Sequence, residues 1–219
     1  MIKAIDSFIS KYSYLTFLIS LIFWIGLSPI FESFLTTSIL DVIVLSIISI
    51  SAFYFLYQDG NRVIAYLLIP VSLLFTWLSF IFPDAAFLSS AMRFAFLALF
   101  FLITIHLIVK IFKSKKVDVN VIYASIAGYI MIGLMASILC WLVNWAHPNS
   151  YSAQVGSGKI LDFAYYSFVT MSTLGYGDVT PISEASRSLA IFITLIGQFY
   201  MTVLIALLIG KFLSQKKSD

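Results

Sequence analysis

Six consecutive residues, Thr173-Leu174-Gly175-Tyr176-Gly177-Asp178, are the part of this sequence best suited to chemistry. The chemistry would be done by backbone. A cation gives up its water only where other oxygens replace it at similar distances. A strand whose successive carbonyls all point one way supplies stacked rings of oxygens when several copies surround an axis, which is how potassium is held. Ordinary residues alternate their carbonyls, whereas glycine tolerates the mirror-region dihedrals that realign them. Gly175 and Gly177 stand at alternate positions, where that relief is needed. The expected ligands are therefore the carbonyls of Thr173, Leu174, Gly175, Tyr176 and Gly177, with K+ lying at Thr173 to Tyr176 and the Thr173 hydroxyl adding an oxygen at the inner end. Leu174 and Tyr176 are expected to turn away from the axis and brace the strand against the helix before it.

That helix reads from Asp162 through Phe163-Ala164-Tyr165-Tyr166-Ser167-Phe168-Val169-Thr170-Met171. It is far shorter than the ~20 residues that cross a bilayer, so it is expected to be re-entrant. Asp162 is placed to cap its start. Its C-terminal, negative end would face the membrane centre and favour a cation there.

Positioning such a strand in lipid is the task of the rest of the chain. Of 219 residues, 61% are hydrophobic and 11% charged, against roughly a quarter charged in soluble domains. Apolar runs fall at about 12–31, 35–57, 63–82, 86–112, 119–146 and 186–213. Each is long enough to span ~30 Å as a helix, and helices satisfy their own backbone in lipid. The expected fold is thus an all-α membrane protein, with six transmembrane helices plus a re-entrant pore helix and a selectivity filter. Most of the 13 basic residues, among them Lys3, Lys11, Arg62, Lys110, Lys113, Lys115, Lys116, Lys211, Lys216 and Lys217, fall on one side if both termini are cytoplasmic. That bias sets the orientation. The first run reads as a retained anchor rather than a cleaved signal. A net charge of +3, dispersed, offers no footing for nucleic acid, and the single cysteine, Cys140, allows no intrachain disulfide.

The run Thr170-Met171-Ser172-Thr173-Leu174-Gly175-Tyr176-Gly177-Asp178, with Pro181, resembles the pore signature of the potassium channel superfamily, and the runs 119–146 and 186–213 resemble its outer and inner pore helices. The resemblance covers about the last hundred residues and implies a pore domain at 117–219 behind a four-helix, sensor-like domain at 1–116. Leu174 departs from the usual valine or isoleucine. Its side chain should face away from the ions, so selectivity is expected to survive. One filter copy cannot encircle an ion, so the resemblance implies a homotetramer in a cell membrane. It also implies filter support from Asp178, Tyr165 and Tyr166, and a cavity or gate at Gly197, Gln198 and Met201. Gly197 could be a hinge or a point of close packing; Gln198 could face a wet cavity or bond a neighbouring helix.

Four spans before a pore suggest a voltage sensor, yet the fourth run offers Arg93 and then no further ionised residue until Lys110. Arg93 crossing the whole field in four subunits would supply only ~9 kcal/mol per 100 mV. Asp41, at similar depth in the second run, is the expected partner of Arg93. The layout therefore predicts weak or no voltage dependence. Lys113, Lys115 and Lys116 would anchor the inner face or attract anionic lipid. The residues after the last run are too few for a nucleotide- or calcium-sensing domain. His106 and His147, the only two histidines, lie toward opposite faces, so no enzyme constellation is legible. A nonselective cation channel of the same fold is the nearest alternative.

Overall fold

The computed structural model describes residues 2–26, 37–82, 84–114, 116–152 and 160–216. These are almost entirely helical: α1 is Ile2–Gly26, α2 Thr37–Gln58, α3 Ile69–Ile81, α4 Ala86–Lys113, α5 Val119–Ala146, α6 Ile160–Met171 and α7 Glu184–Lys216. Among the described residues, three segments are long and apolar enough to cross a membrane: Ser90–Lys113, Val119–Ala146 and Glu184–Gln215. Tyr12–Gly26, Val42–Gln58 and Ala65–Ile81 are apolar but shorter. Glu32 and Lys159 lie outside the described residues.

Chain breaks follow local chemistry. At the end of α2 the amide of Asn61 donates to the Leu56 carbonyl at 2.9 Å and that of Gly60 to Tyr57 at 3.3 Å. Gly60 takes φ +85°. This is a Schellman stop, whose left-handed residue is normally glycine. A π turn, Ile64–Leu68, then precedes Pro70 near the start of α3. Proline has no N–H and its ring crowds the carbonyl four residues back, so a locally widened turn relieves both problems.

Two compact units form, Met1–Ile108 with Val119–Ala127, and Val109–Asp118 with Gly128–Asp219. In the first, Phe17 and Leu21 of α1, Ile48, Phe55 and Leu56 of α2, and Leu99, Ile103 and Leu107 of α4 are fully buried. The end of this unit near Asp59 holds a polar cluster. His106 Nε2 lies 2.8 Å from Asp59 Oδ2, the Tyr14 hydroxyl donates to the same oxygen, and Asn61 Nδ2 bonds His106 Nδ1. Phe55 stacks on both Tyr14 and His106, with ring centroids 5.0 and 5.9 Å apart. Thus α1, α2 and α4 are joined by side chains that the apolar pattern of the runs did not signal.

The second unit is built around Cys140, Trp141, Tyr151, Phe163, Tyr166, Met171 and Ile193. Glycines on α5 admit its neighbours. A Cβ on Gly133 would lie 2.4 Å from the Phe168 ring, and one on Gly128 2.3 Å from the Tyr200 hydroxyl. The Ser167 hydroxyl of α6 donates to the Gly133 carbonyl at 2.9 Å. Ser183 caps α7, its hydroxyl accepting from the Ser186 amide at 3.2 Å, the usual N-cap to N3 bond. Lys211 proves to be more than a surface anchor. Its Nζ donates to the carbonyls of Ile111, Phe112 and Ser114 at 2.6, 3.0 and 2.6 Å. A cation thus satisfies carbonyls left over at the C-terminus of α4, where the helix dipole favours it.

Candidate ion-conducting site

Helix α6 starts at Ile160, so Asp162 lies inside its first turn rather than at its cap. A carboxylate there still complements the helix dipole. The helix ends at Met171, and the amides of Thr173, Leu174 and Gly175 fold back onto it. Thr173 donates to the Thr170 carbonyl at 3.1 Å, and Leu174 and Gly175 to that of Val169 at 3.1 and 3.3 Å. The last carbonyls of a helix lack partners within it; here the following strand supplies them, and its base is fastened to α6.

Above that base, φ is +60° at Thr173, +56° at Gly175 and +78° at Gly177, while Leu174 and Tyr176 keep negative φ. Left-handed residues therefore alternate with ordinary ones along the strand. That alternation is what lets successive carbonyls share one direction. The two glycines were legible from sequence; Thr173 was not. A β-branched residue at positive φ is a genuine outlier, and holding it there costs on the order of 1–3 kcal/mol.

Leu174 and Tyr176 are the residues expected to brace the strand against the preceding helix. Within the single chain these side chains are 55% and 66% exposed. Hydrogen bonds fasten the strand to α6 at its base and at Asp178. There the Tyr165 hydroxyl donates to Asp178 Oδ2 at 2.5 Å, and the Val179 amide donates to Oδ1 at 3.0 Å. Tyr166 instead lies in the buried cluster, its ring 5.0 Å from that of Tyr151.

The Tyr165 phenol holds the Asp178 carboxyl below the usual carboxylate range, with the Val179 amide adding to the effect. A depressed value means that the charged, bonded form is fully present at neutral pH. It is lost only as pH falls below the ordinary carboxylate range. Replacing Tyr165 with Phe should therefore move protonation of the Asp178 carboxylate to higher pH. A carboxyl-resolved NMR titration tests this, and identical titration curves for Asp178 in both proteins would refute it.

On α7, Gly197 meets α6 directly. A Cβ there would lie 2.3 Å from Met171 Cγ and 2.7 Å from the Met171 carbonyl oxygen. Close packing thus accounts for this glycine. Gln198 Nε2 donates to the same carbonyl at 3.4 Å, which makes it a bond to a neighbouring helix. Met201 is exposed. Arg93 is partly buried on α4, whereas the side chain of Asp41 lies outside the described residues, as does Lys115. Lys113 and Lys116 are exposed.

Residues 125–214 match the family model described as an ion channel. Over 94 residues the chain is 31% identical to two-pore potassium channel 2 of Arabidopsis thaliana, covering 43% of this chain and 19% of that protein. It is 27% identical over 112 residues to two-pore potassium channel 3 of the same plant, covering 48% and 22%. A stretch of 33 residues is 54% identical to potassium channel K1 of Plasmodium berghei (strain Anka), covering 15% and 2%. The chain spans about a fifth of the length of the two plant relatives. No solved structure matches. The matched stretch contains α6, the 173–178 strand and most of α5 and α7.

Proposed function

We propose that this chain is one subunit of a homotetrameric, potassium-selective channel in which residues 173–178 form the selectivity filter. The observation that carries the reading is the alternation of left-handed residues at 173, 175 and 177 in a strand whose Leu174 and Tyr176 stay more than half exposed in their own chain. Such a strand makes physical sense where sister copies complete both the oxygen rings and the packing behind them. Helix α7 fits the same scheme, since only 11% of its apolar stretch is buried within the chain. Four chains around one axis form a closed cyclic assembly. The names of the plant relatives and the ion-channel match support potassium as the permeant ion.

The three long apolar helices and the three shorter ones, α1, α2 and α3 with its preceding π turn, would span the membrane, with both ends cytoplasmic and the 1–116 segment acting as a structural, sensor-like domain. Arg93 would pair with Asp41, leaving little gating charge, and the exposed Lys113 and Lys116, with Lys115, would meet anionic lipid. Purified protein in planar bilayers under opposed potassium and sodium gradients tests the central point. A reversal potential near the potassium equilibrium value is expected. One near zero would favour a nonselective cation channel, and a monomeric mass in detergent would overturn the assembly.

A further inference from the structure

We propose that Ser150, Tyr151 and Ser152 form a clasp that sets the register of the strand leaving the candidate filter, which makes Ser152 a positioning residue for selective conduction. The proposal rests on the channel reading above.

Beyond Asp178 the chain runs through Thr180 and Pro181 toward α7, and a lone strand there would have no ladder to fix its height. The loop after α5 supplies one. Tyr151 and Pro181 form an antiparallel bridge. On one side of it the Ser152 amide donates to the Thr180 carbonyl at 2.9 Å, and on the other the Ile182 amide donates to the Ser150 carbonyl at 2.7 Å. The Thr180 amide donates to the Ser152 hydroxyl at 3.1 Å. That hydroxyl in turn donates to the Asp178 carbonyl at 3.5 Å. One side chain thus holds two points of the exit strand, using both the donor and the acceptor capacity of a serine.

The clasp is itself anchored. Tyr151 is 4% exposed, its ring edge-on to Phe163 and Tyr166 of α6 at 5.6 and 5.0 Å. A slip of one residue would turn that ring to the opposite face, so burial of Tyr151 specifies the register. Ser150 is tied to the start of α7, its carbonyl accepting from the Ser186 hydroxyl at 2.8 Å and its hydroxyl 2.9 Å from that of Ser183. Asp178 is therefore held twice, by Tyr165 through its carboxylate and by Ser152 through its backbone.

The test uses the 219-residue chain in bilayers, comparing wild type, Ser152→Ala, Ser152→Thr, Tyr165→Phe and the Ser152→Ala/Tyr165→Phe double variant. Ser152→Ala is expected to retain potassium conductance while hastening the loss of current on withdrawal of external potassium roughly tenfold. Ser152→Thr should restore the wild-type rate. The double variant should fall short of the product of the single effects, because both groups hold one residue. A wild-type rate in Ser152→Ala, failure of threonine to rescue, or purely multiplicative effects would each overturn the clasp. Amide hydrogen exchange at residues 178–182 gives a reading independent of conduction: faster in the alanine variant and normal in the threonine variant, with unchanged exchange counting against the proposal. Absence of any potassium-selective current from wild type overturns the channel reading instead, while exchange still decides on the clasp.

Discussion

Alanine at Gly175 or Gly177 is expected to abolish potassium-selective current while leaving the helical fold intact. Both glycines adopt positive φ, +56° and +78°, and no atom lies within 4 Å of a Cβ built on either. The damage would therefore come from the backbone rather than from a clash. A left-handed conformation costs an L-residue roughly 1–2 kcal/mol. In the proposed assembly the cost recurs in four chains, about 4–8 kcal/mol in all. The strand would relax toward ordinary dihedrals and swing carbonyls off the axis. Gly60 is the natural control, since it has φ +85° and equally open surroundings but sits at a helix end remote in sequence from the filter. Its alanine variant should lose a comparable amount of stability per chain and keep its reversal potential. The reversal potential under a potassium/sodium gradient is the measurement. Selective current persisting in both the Gly175 and Gly177 variants would defeat the proposed role of the strand.

The second large effect is expected at Gly197. A methyl group there meets the Met171 carbonyl oxygen at 2.7 Å, and a backbone oxygen cannot yield the way a flexible side chain can. Met171 closes α6 immediately before the strand, so displacing it moves the base of the proposed filter. Overpacking of this kind costs typically about 1–3 kcal/mol. Gly197→Ala should lower both the melting temperature and the unitary current. Gly210→Ala on the same helix, where nothing lies within 4 Å, should change neither. A hinge would behave differently: Gly197→Ala and Gly197→Pro would then shift open probability in opposite directions. Close packing makes both harmful.

Much of the fold was legible because helices in lipid announce themselves by length. Helix α5 coincides with the apolar run at 119–146, and α4 and α7 differ from theirs by a few residues at their ends. Gly175 and Gly177 were legible because no other residue takes their dihedrals cheaply. What escaped depends on which side chain meets which neighbour. Nothing in the pattern Tyr165-Tyr166 tells which phenol reaches Asp178, because adjacent helical residues point in different directions and only packing decides between them. The positive φ of Thr173 runs against that residue's own preference. The Lys211 contacts join residues about a hundred positions apart, and a lysine near the end of an apolar helix reads equally well as an anchor. Leu174 and Tyr176 stay more than half exposed in the single chain, a degree of cover that their residue types do not foretell.

In the proposed tetramer, the partial exposure of Leu174 and Tyr176 in the single chain bears on biogenesis. A newly inserted subunit would carry an unfinished mouth, with greasy and phenolic groups still waiting for sister chains. Maturation of the pore and oligomerisation would then be one event, and an orphan copy would be electrically silent rather than leaky. A cell could in that case build up spare subunits without dissipating its ion gradients.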